Sequence, residues 1–247
     1  HSKVVNMNPE ILTQLAPTGK LRVGLNMANN LLNTGTTVKG EPDGVAPDMG
    51  RAVAKRIGVE VVLVKYATPG EIADTADKNE WDLGMIGAEP KRAEVIDFSA
   101  AYVEIEATYL VPSGSPYKSI EDIDQEGVRI AVSGRSAYDL FLSRHLNNAE
   151  LVRAQGVAGA AELFKSNNLD ALAGLRPALA IEAEKAAGSR IIEGCFTAVQ
   201  QAIGVARGKK AAAEFIADFV AESKANGFIA SLISKHGVTG KLAVGSS

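Results

Sequence analysis

Arg92 closes the run Gly87-Ala88-Glu89-Pro90-Lys91-Arg92, which follows the apolar stretch Trp81-Asp82-Leu83-Gly84-Met85-Ile86. The pattern predicts a buried strand over 82–87 that turns into a helix opened by Pro90, because proline's missing N–H has no intrahelical partner at the first helical position. A strand end feeding a helix start gathers unpaired backbone N–H groups, where an anion is welcome. From the first helical turn, the planar guanidinium of Arg92 adds a fork suited to a carboxylate. The competing reading is an arginine solvated on a helix surface. Glu89 is open in the same way. It is either an acid complementing the helix dipole, worth about 0.3–1 kcal/mol, or the partner of a ligand ammonium.

Two further junctions carry polar groups of the right kind. Ligands of open α/β sheets sit at the carboxyl ends of the strands. One such end is Asn26-Met27-Ala28-Asn29-Asn30, after the strand Leu21–Leu25. Asn26, Asn29 and Asn30 can donate and accept without adding charge, or can simply stabilise a turn. The other is Ser133-Gly134-Arg135-Ser136-Ala137, after the strand 128–132. Ser136 suits either a helix N-cap or an anion donor, and the two roles compete for one oxygen. Arg135 directed at a ligand would favour a second acidic group; directed outward, it is solvated.

The elements that must hold these residues alternate. Strands are expected at 21–25, 60–64, 82–87, 128–132, 150–153 and 170–174. Helices are expected from Asp48, as cap, through Arg56 with Gly58 as the stop, and over 70–79, 136–146, 157–167, 210–224 and 227–236. A further helix is opened by Pro177. Phe215, Ile216, Phe219 and Val220 share one face of the helix over 210–224. Such β-α repetition means parallel sheets covered by helices. Long extended segments at 104–112 and 197–206 interrupt it, which suggests two α/β lobes joined by two crossings.

Bulk properties exclude several classes. The net charge is −3 from 26 basic and 29 acidic residues, too balanced for a nucleic acid or anionic membrane partner. Aromatics make up 5% of the chain, few for base stacking. Cys195 is the only cysteine, so neither an internal disulfide nor a cysteine metal site can form. His1, His145 and His236 lack metal-ligand spacing, His145 falling on a helix face with Phe141. G-x-S-x-G, P-loop and post-strand G-x-G-x-x-G patterns are absent. No metal and no cofactor is expected. No run approaches about 18 apolar residues, and His1-Ser2-Lys3-Val4-Val5-Asn6 has no apolar signal core; the readings are a mature or trimmed start, with His1-Ser2 as a tag scar, or a natural protein that never carries a signal.

The order of Arg92 and Asp97-Phe98-Ser99-Ala100-Ala101-Tyr102 resembles the first-lobe signature of the amino-acid-type solute-binding proteins of ABC importers, bacterial extracellular solute-binding protein family 3. Matching landmarks include Gly44-Val45-Ala46-Pro47-Asp48-Met49, Lys118-Ser119-Ile120-Glu121-Asp122-Ile123 and Leu169-Asp170-Ala171. The resemblance implies an α/β, two-lobed, type II periplasmic-binding-protein-like fold with residues 1–106 and 203–247 in lobe 1, 107–202 in lobe 2, and two hinge crossings. It implies a non-enzymatic, monomeric receptor that closes on a small carboxylate ligand and is read by ABC permease subunits. The compartment implied is periplasmic or extracellular; the opening residues keep the cytoplasm open too. On this reading Arg92 grips the carboxylate with Gly87, Ala88 and Glu89 around it, and Ser133, Arg135, Ser136 and Ala137 complete the cradle. Asn26, Asn29 and Asn30 stand where relatives have an acid and an aromatic. Asp82, Asp97 and Asp170 become structural acids. The aspartate that pairs with an α-ammonium in relatives has no counterpart at Leu175-Arg176, so either Glu89 takes that role or the ligand has no ammonium. The alternatives are an enzyme on the same scaffold, of the cyclohexadienyl dehydratase type, and a cytosolic ligand sensor.

Overall fold

The computed structural model describes residues 7–246. The opening residues His1–Asn6, read above for a leader or tag, lie outside that range. Along the chain run α1 (Pro9–Leu15), β1 (Lys20–Asn26), the short pair β2 (Gly35–Thr36) and β3 (Pro42–Asp43), α2 (Val45–Ile57), β4 (Glu60–Tyr66), α3 (Pro69–Asp74), β5 (Leu83–Gly87), α4 (Pro90–Ala93) and β6 (Ile96–Phe98). Next come β7 (Val103–Val111), α5 (Ile120–Ile123), β8 (Arg129–Ser133), α6 (Ala137–His145), β9 (Glu150–Ala154), α7 (Gly156–Ser166), β10 (Ala171–Leu175), α8 (Arg176–Lys185) and β11 (Arg190–Ile191). The chain closes with β12 (Thr197–Ala206), α9 (Lys210–Ala225), α10 (Phe228–Lys235) and β13 (Ala243–Val244). It divides into two compact units, one ending at Glu104 and resuming at Gln200, the other spanning Ile105–Val199.

In the first unit, β1 lies between β4 and β5 and is parallel to both, while β12 runs antiparallel to β5. Parallel neighbours end on the same edge, so the loops after β1 and β5 leave the sheet side by side. All five residues of β5 are buried, as a strand covered on both faces requires. Ile72, Trp81, Ile86 and Ile96 pack into one core against it.

In the second unit, β10 lies between β7, antiparallel to it, and β8, parallel to it; β9 continues in parallel beyond β8. Successive side chains in a strand face opposite sides, and the core divides accordingly. Tyr109, Ile130 and Ala173 pack in one cluster, with Leu110, Ala131 and Leu172 in the other.

One device recurs in both units. Asp82, just before β5, accepts hydrogen bonds from the Arg22 backbone N–H at 2.8 Å and from Arg22 Nε and Nη2 at 3.0 and 2.8 Å. Asp170, just before β10, accepts from the Arg129 backbone N–H at 2.8 Å. Each aspartate thus ties the start of one strand to its neighbour, which gives these residues the structural role implied for them.

Three local expectations change. Asp48 does not cap α2. Gly44 is the N-cap, and Asp48 sits one turn inside, bonded to Arg51 Nη1 at 3.0 Å, Lys235 Nζ at 2.8 Å and His236 Nε2 at 2.7 Å. Helix α3 stops at Asp74, where the Thr75 hydroxyl donates back to the Glu71 carbonyl at 2.8 Å. Helix α4 is a single turn of four residues, too short for the aligned dipoles invoked at its start.

Candidate functional site

Arg92 is not a solvated helix arginine. It is 3% exposed, and its Nη1 donates to the Gly87 carbonyl at 2.8 Å. The one-turn α4 folds the guanidinium back over the end of β5. A buried guanidinium needs partners for its N–H groups, and the Gly87 carbonyl is one of them. The adjacent Ala88 N–H donates to the Gln200 carbonyl at 2.7 Å, which seats this junction against the returning strand β12. Glu89 is half-buried, holds an extended backbone (φ −147°, ψ 144°) and makes no side-chain cap bond to α4. It therefore stands before the helix rather than in its first turn.

On the same edge, the loop after β1 is organised by its own amides. Asn26 Oδ1 accepts from the Ala28 N–H at 3.1 Å, and Asn29 Oδ1 from the N–H groups of Leu31 and Leu32 at 3.0 and 3.1 Å. Asn33, which sequence reading missed, donates Nδ2 to the carbonyls of Asn26 and Asn29 at 2.9 and 3.3 Å. These oxygens are spent on the turn; Asn30 is the exposed member of the set.

In the second unit, Ser133, Arg135, Ser136 and Ala137 fall in one turn between β8 and α6. The Ser136 hydroxyl donates to the Ser133 carbonyl at 2.8 Å and accepts from the Asp139 N–H at 3.1 Å. Its only proton is thereby used, so the geometry is that of an N-cap. Arg135 is exposed and adopts φ +61°, a left-handed conformation that costs an L-residue about 1–2 kcal/mol. Its N–H donates to Asp139 Oδ2 at 2.7 Å, which holds that backbone in place. Asp139 is 2% exposed and also accepts from Arg153 Nε at 3.0 Å and from the Ser143 hydroxyl at 3.1 Å. Beneath the turn, burial pushes the Tyr138 phenol up to about 12.

At the neighbouring strand end, Arg176 opens α8 and pairs with Glu106, its Nη2 3.2 Å from Oε1; the same nitrogen donates to the Gly194 carbonyl at 2.5 Å. Burial and the nearby Glu106 carboxylate raise the Cys195 thiol, partly offset by Arg176. The pairs Asp139–Arg153 and Glu106–Arg176 were not found from sequence. The Ser-x-x-Asp spacing of Ser136 and Asp139 was the available signal for the first, and no local signal exists for the second.

Asp43, Asp48 and His236 bring ligand-type atoms within 4.8 Å of one another. Arg51 and Lys235 donate to the same Asp48 carboxylate. Two cations beside it oppose a divalent ion, so the cluster is an ion-pair network that ties α10 to α2.

Two α/β units with mostly parallel strands and two long crossing strands define the type II periplasmic-binding fold. The bacterial extracellular solute-binding proteins, family 3, match over residues 21–239, and the chain belongs to that family. No curated protein matches at the sequence level. Among solved structures, a mutant of ArgBP from T. maritima is 23% identical with a TM-score of 0.73, covering 91% of this chain and 98% of that one. The ancestral amino acid-binding protein AncCDT-1, a precursor of cyclohexadienyl dehydratase, is 23% identical with a TM-score of 0.72 over 91% and 98%. An amino acid ABC transporter substrate-binding protein from Streptococcus pneumoniae Canada MDR_19A, bound to L-arginine, is 20% identical with a TM-score of 0.72 over 92% and 97%.

Proposed function

We propose that this protein is the solute-binding component of an ABC importer, non-enzymatic and monomeric, working in the periplasm or outside the cell. Its two units close on a small carboxylate, an amino acid or a related organic acid. Arg92 grips the carboxylate with the backbone of Gly87–Glu89, and the turn Ser133–Ala137 meets it from the second unit. Asn26, Asn29 and Asn30 shape the first unit's rim, and ABC permease subunits read the closed form. Closure follows because the ligand gains contacts from both units only when they meet, so it shifts that equilibrium by its differential affinity.

The burial of Arg92 at the end of a parallel strand carries this reading. Charge-assisted hydrogen bonds contribute about 1.5–3 kcal/mol each, so three or four suffice for micromolar binding, near −8 kcal/mol. A thermal-shift screen of amino acids and organic acids, followed by recovery of the ligand, tests it. A stabilising ligand recovered unchanged is expected. Turnover of that ligand would instead favour catalysis with Glu89 as the acid, and a screen in which no small acid stabilises the chain would overturn the proposal.

A further inference from the structure

We infer that Asn226, in the turn between α9 and α10, is a site of covalent modification, losing its side-chain amide to attack by the backbone nitrogen of Gly227. Asn30, Asn147, Asn148 and Asn167 are exposed too, but each is followed by a residue with a side chain, whereas Asn226 precedes glycine. Without a Cβ on the next residue, nothing shields the attacking nitrogen. The turn prepares both reacting groups. Asn226 Oδ1 accepts the Phe228 N–H at 2.9 Å, which draws electron density from the side-chain carbonyl carbon as an oxyanion donor does. The Gly227 N–H donates to the Lys224 carbonyl only at 3.5 Å, beyond the usual limit of about 3.2 Å, so the attacking nitrogen is loosely held. Both residues are exposed, and water reaches them. Ring closure needs rotation about the Asn226 ψ, which is 2° in the fold. Gly227, at φ +81°, follows that rotation more freely than a residue with a side chain could.

The step balances with water alone. The Gly227 nitrogen gives its proton to solvent and bonds to the Asn226 side-chain carbonyl carbon, and the C–N bond of the side-chain amide breaks to release ammonia. The cyclic imide then adds water. Cleavage of the ring nitrogen from the side-chain carbon leaves aspartate. Cleavage from the backbone carbon leaves isoaspartate, with one extra carbon in the main chain. Helix α10 is fixed at its far end, where Lys235 and His236 bond to Asp48 of α2 at 2.8 and 2.7 Å, and along its length by the buried Ile229, Leu232 and Ile233. A lengthened turn at its start works against both attachments, so isoaspartate loosens α10 from α2. Aspartate keeps the main chain and the acceptor for the Phe228 N–H.

Ageing the full chain in mildly alkaline buffer and mapping it with trypsin tests this. Cuts after Lys224 and Lys235 release Ala225–Lys235, in which Asn226 is the single asparagine. The expected result is exchange of amide for acid in this peptide about tenfold or more faster than in the peptides carrying Asn30, Asn147, Asn148 or Asn167. Chromatography should resolve an aspartate and an isoaspartate form. In Asn226→Gln, whose longer side chain closes a less favourable ring, the peptide should stay unmodified over the same period while the urea midpoint of the fresh protein is kept. The isoaspartate fraction should unfold at lower urea than Asn226→Asp; equal midpoints would overturn the loosening of α10. Equal rates at the other exposed asparagines would overturn the site. So would modification that appears only when the chain is held unfolded in urea, because the folded turn would then protect Asn226 rather than prepare it.

Discussion

Replacing Asp139 tests whether a buried carboxylate, rather than the turn sequence itself, holds the Ser133–Ala137 segment in shape. The Asp139 side chain accepts from the Arg135 N–H at 2.7 Å, Arg153 Nε at 3.0 Å and the Ser143 hydroxyl at 3.1 Å. A hydrogen bond to a charged group contributes about 1.5–3 kcal/mol, the range taken for the Arg135 N–H bond. The Arg153 side chain is 49% exposed, which discounts its ion pair to at most about 1 kcal/mol. The hydroxyl bond adds about 0.5–1 kcal/mol. Asp139→Ala should therefore cost about 2–5 kcal/mol, whereas Asp139→Asn keeps an acceptor for the Arg135 N–H and should cost about 1–2 kcal/mol. Urea unfolding followed by far-UV circular dichroism measures both. Equal costs for the two variants, or a cost below about 1 kcal/mol for alanine, would refute the reasoning.

Other outcomes follow from the same geometry. Asp82 is 1% exposed and receives three hydrogen bonds from Arg22, so Asp82→Ala should lower the first unit's stability by about 3–5 kcal/mol, read by urea titration. The Asp48 carboxyl is raised by burial but lowered more by hydrogen bonds from Lys235, His236 and Arg51, and it lies below its usual value of 3.8 in the folded protein. Its contribution to stability is therefore complete above that pH and is lost as pH falls through the folded value. Melting temperatures from pH 5 to 2 should decline less steeply in Asp48→Asn than in the parent. Gly44 has φ +146°, and a Cβ there would lie 2.2 Å from the Leu32 carbonyl oxygen. Gly44→Ala should displace the start of α2 and destabilise by about 2 kcal/mol or more, which a thermal melt detects.

The alternation of elements was legible because it depends on local spacing. The buried run of β5, the opening of α4 by Pro90 and the end of α2 at Gly58, with φ +76°, all follow from neighbouring residues. Asp48 was misread for the opposite reason. It resembles an N-cap locally, yet its partners Lys235 and His236 lie almost the length of the chain away. The Ser136 hydroxyl had two open roles, and only the bond to the Ser133 carbonyl shows that its proton is used. In the Asn26–Asn30 loop the residue types were right for polarity, but Asn33, which clamps the loop, gave no periodic signal. The burial of Arg92 is a tertiary property: a basic residue in a first helical turn is normally solvated, and a one-turn helix folding back on β5 reverses that.

The central claim is that Arg92 holds the ligand's carboxylate, and the direct measurement is titration of the screened ligand into Arg92→Lys and Arg92→Ala, with circular dichroism confirming the fold. Lysine keeps the charge but loses the planar fork. The account predicts a loss of affinity of about 100-fold, near 2.7 kcal/mol, for either variant. Unchanged affinity in a folded Arg92→Ala protein would contradict it.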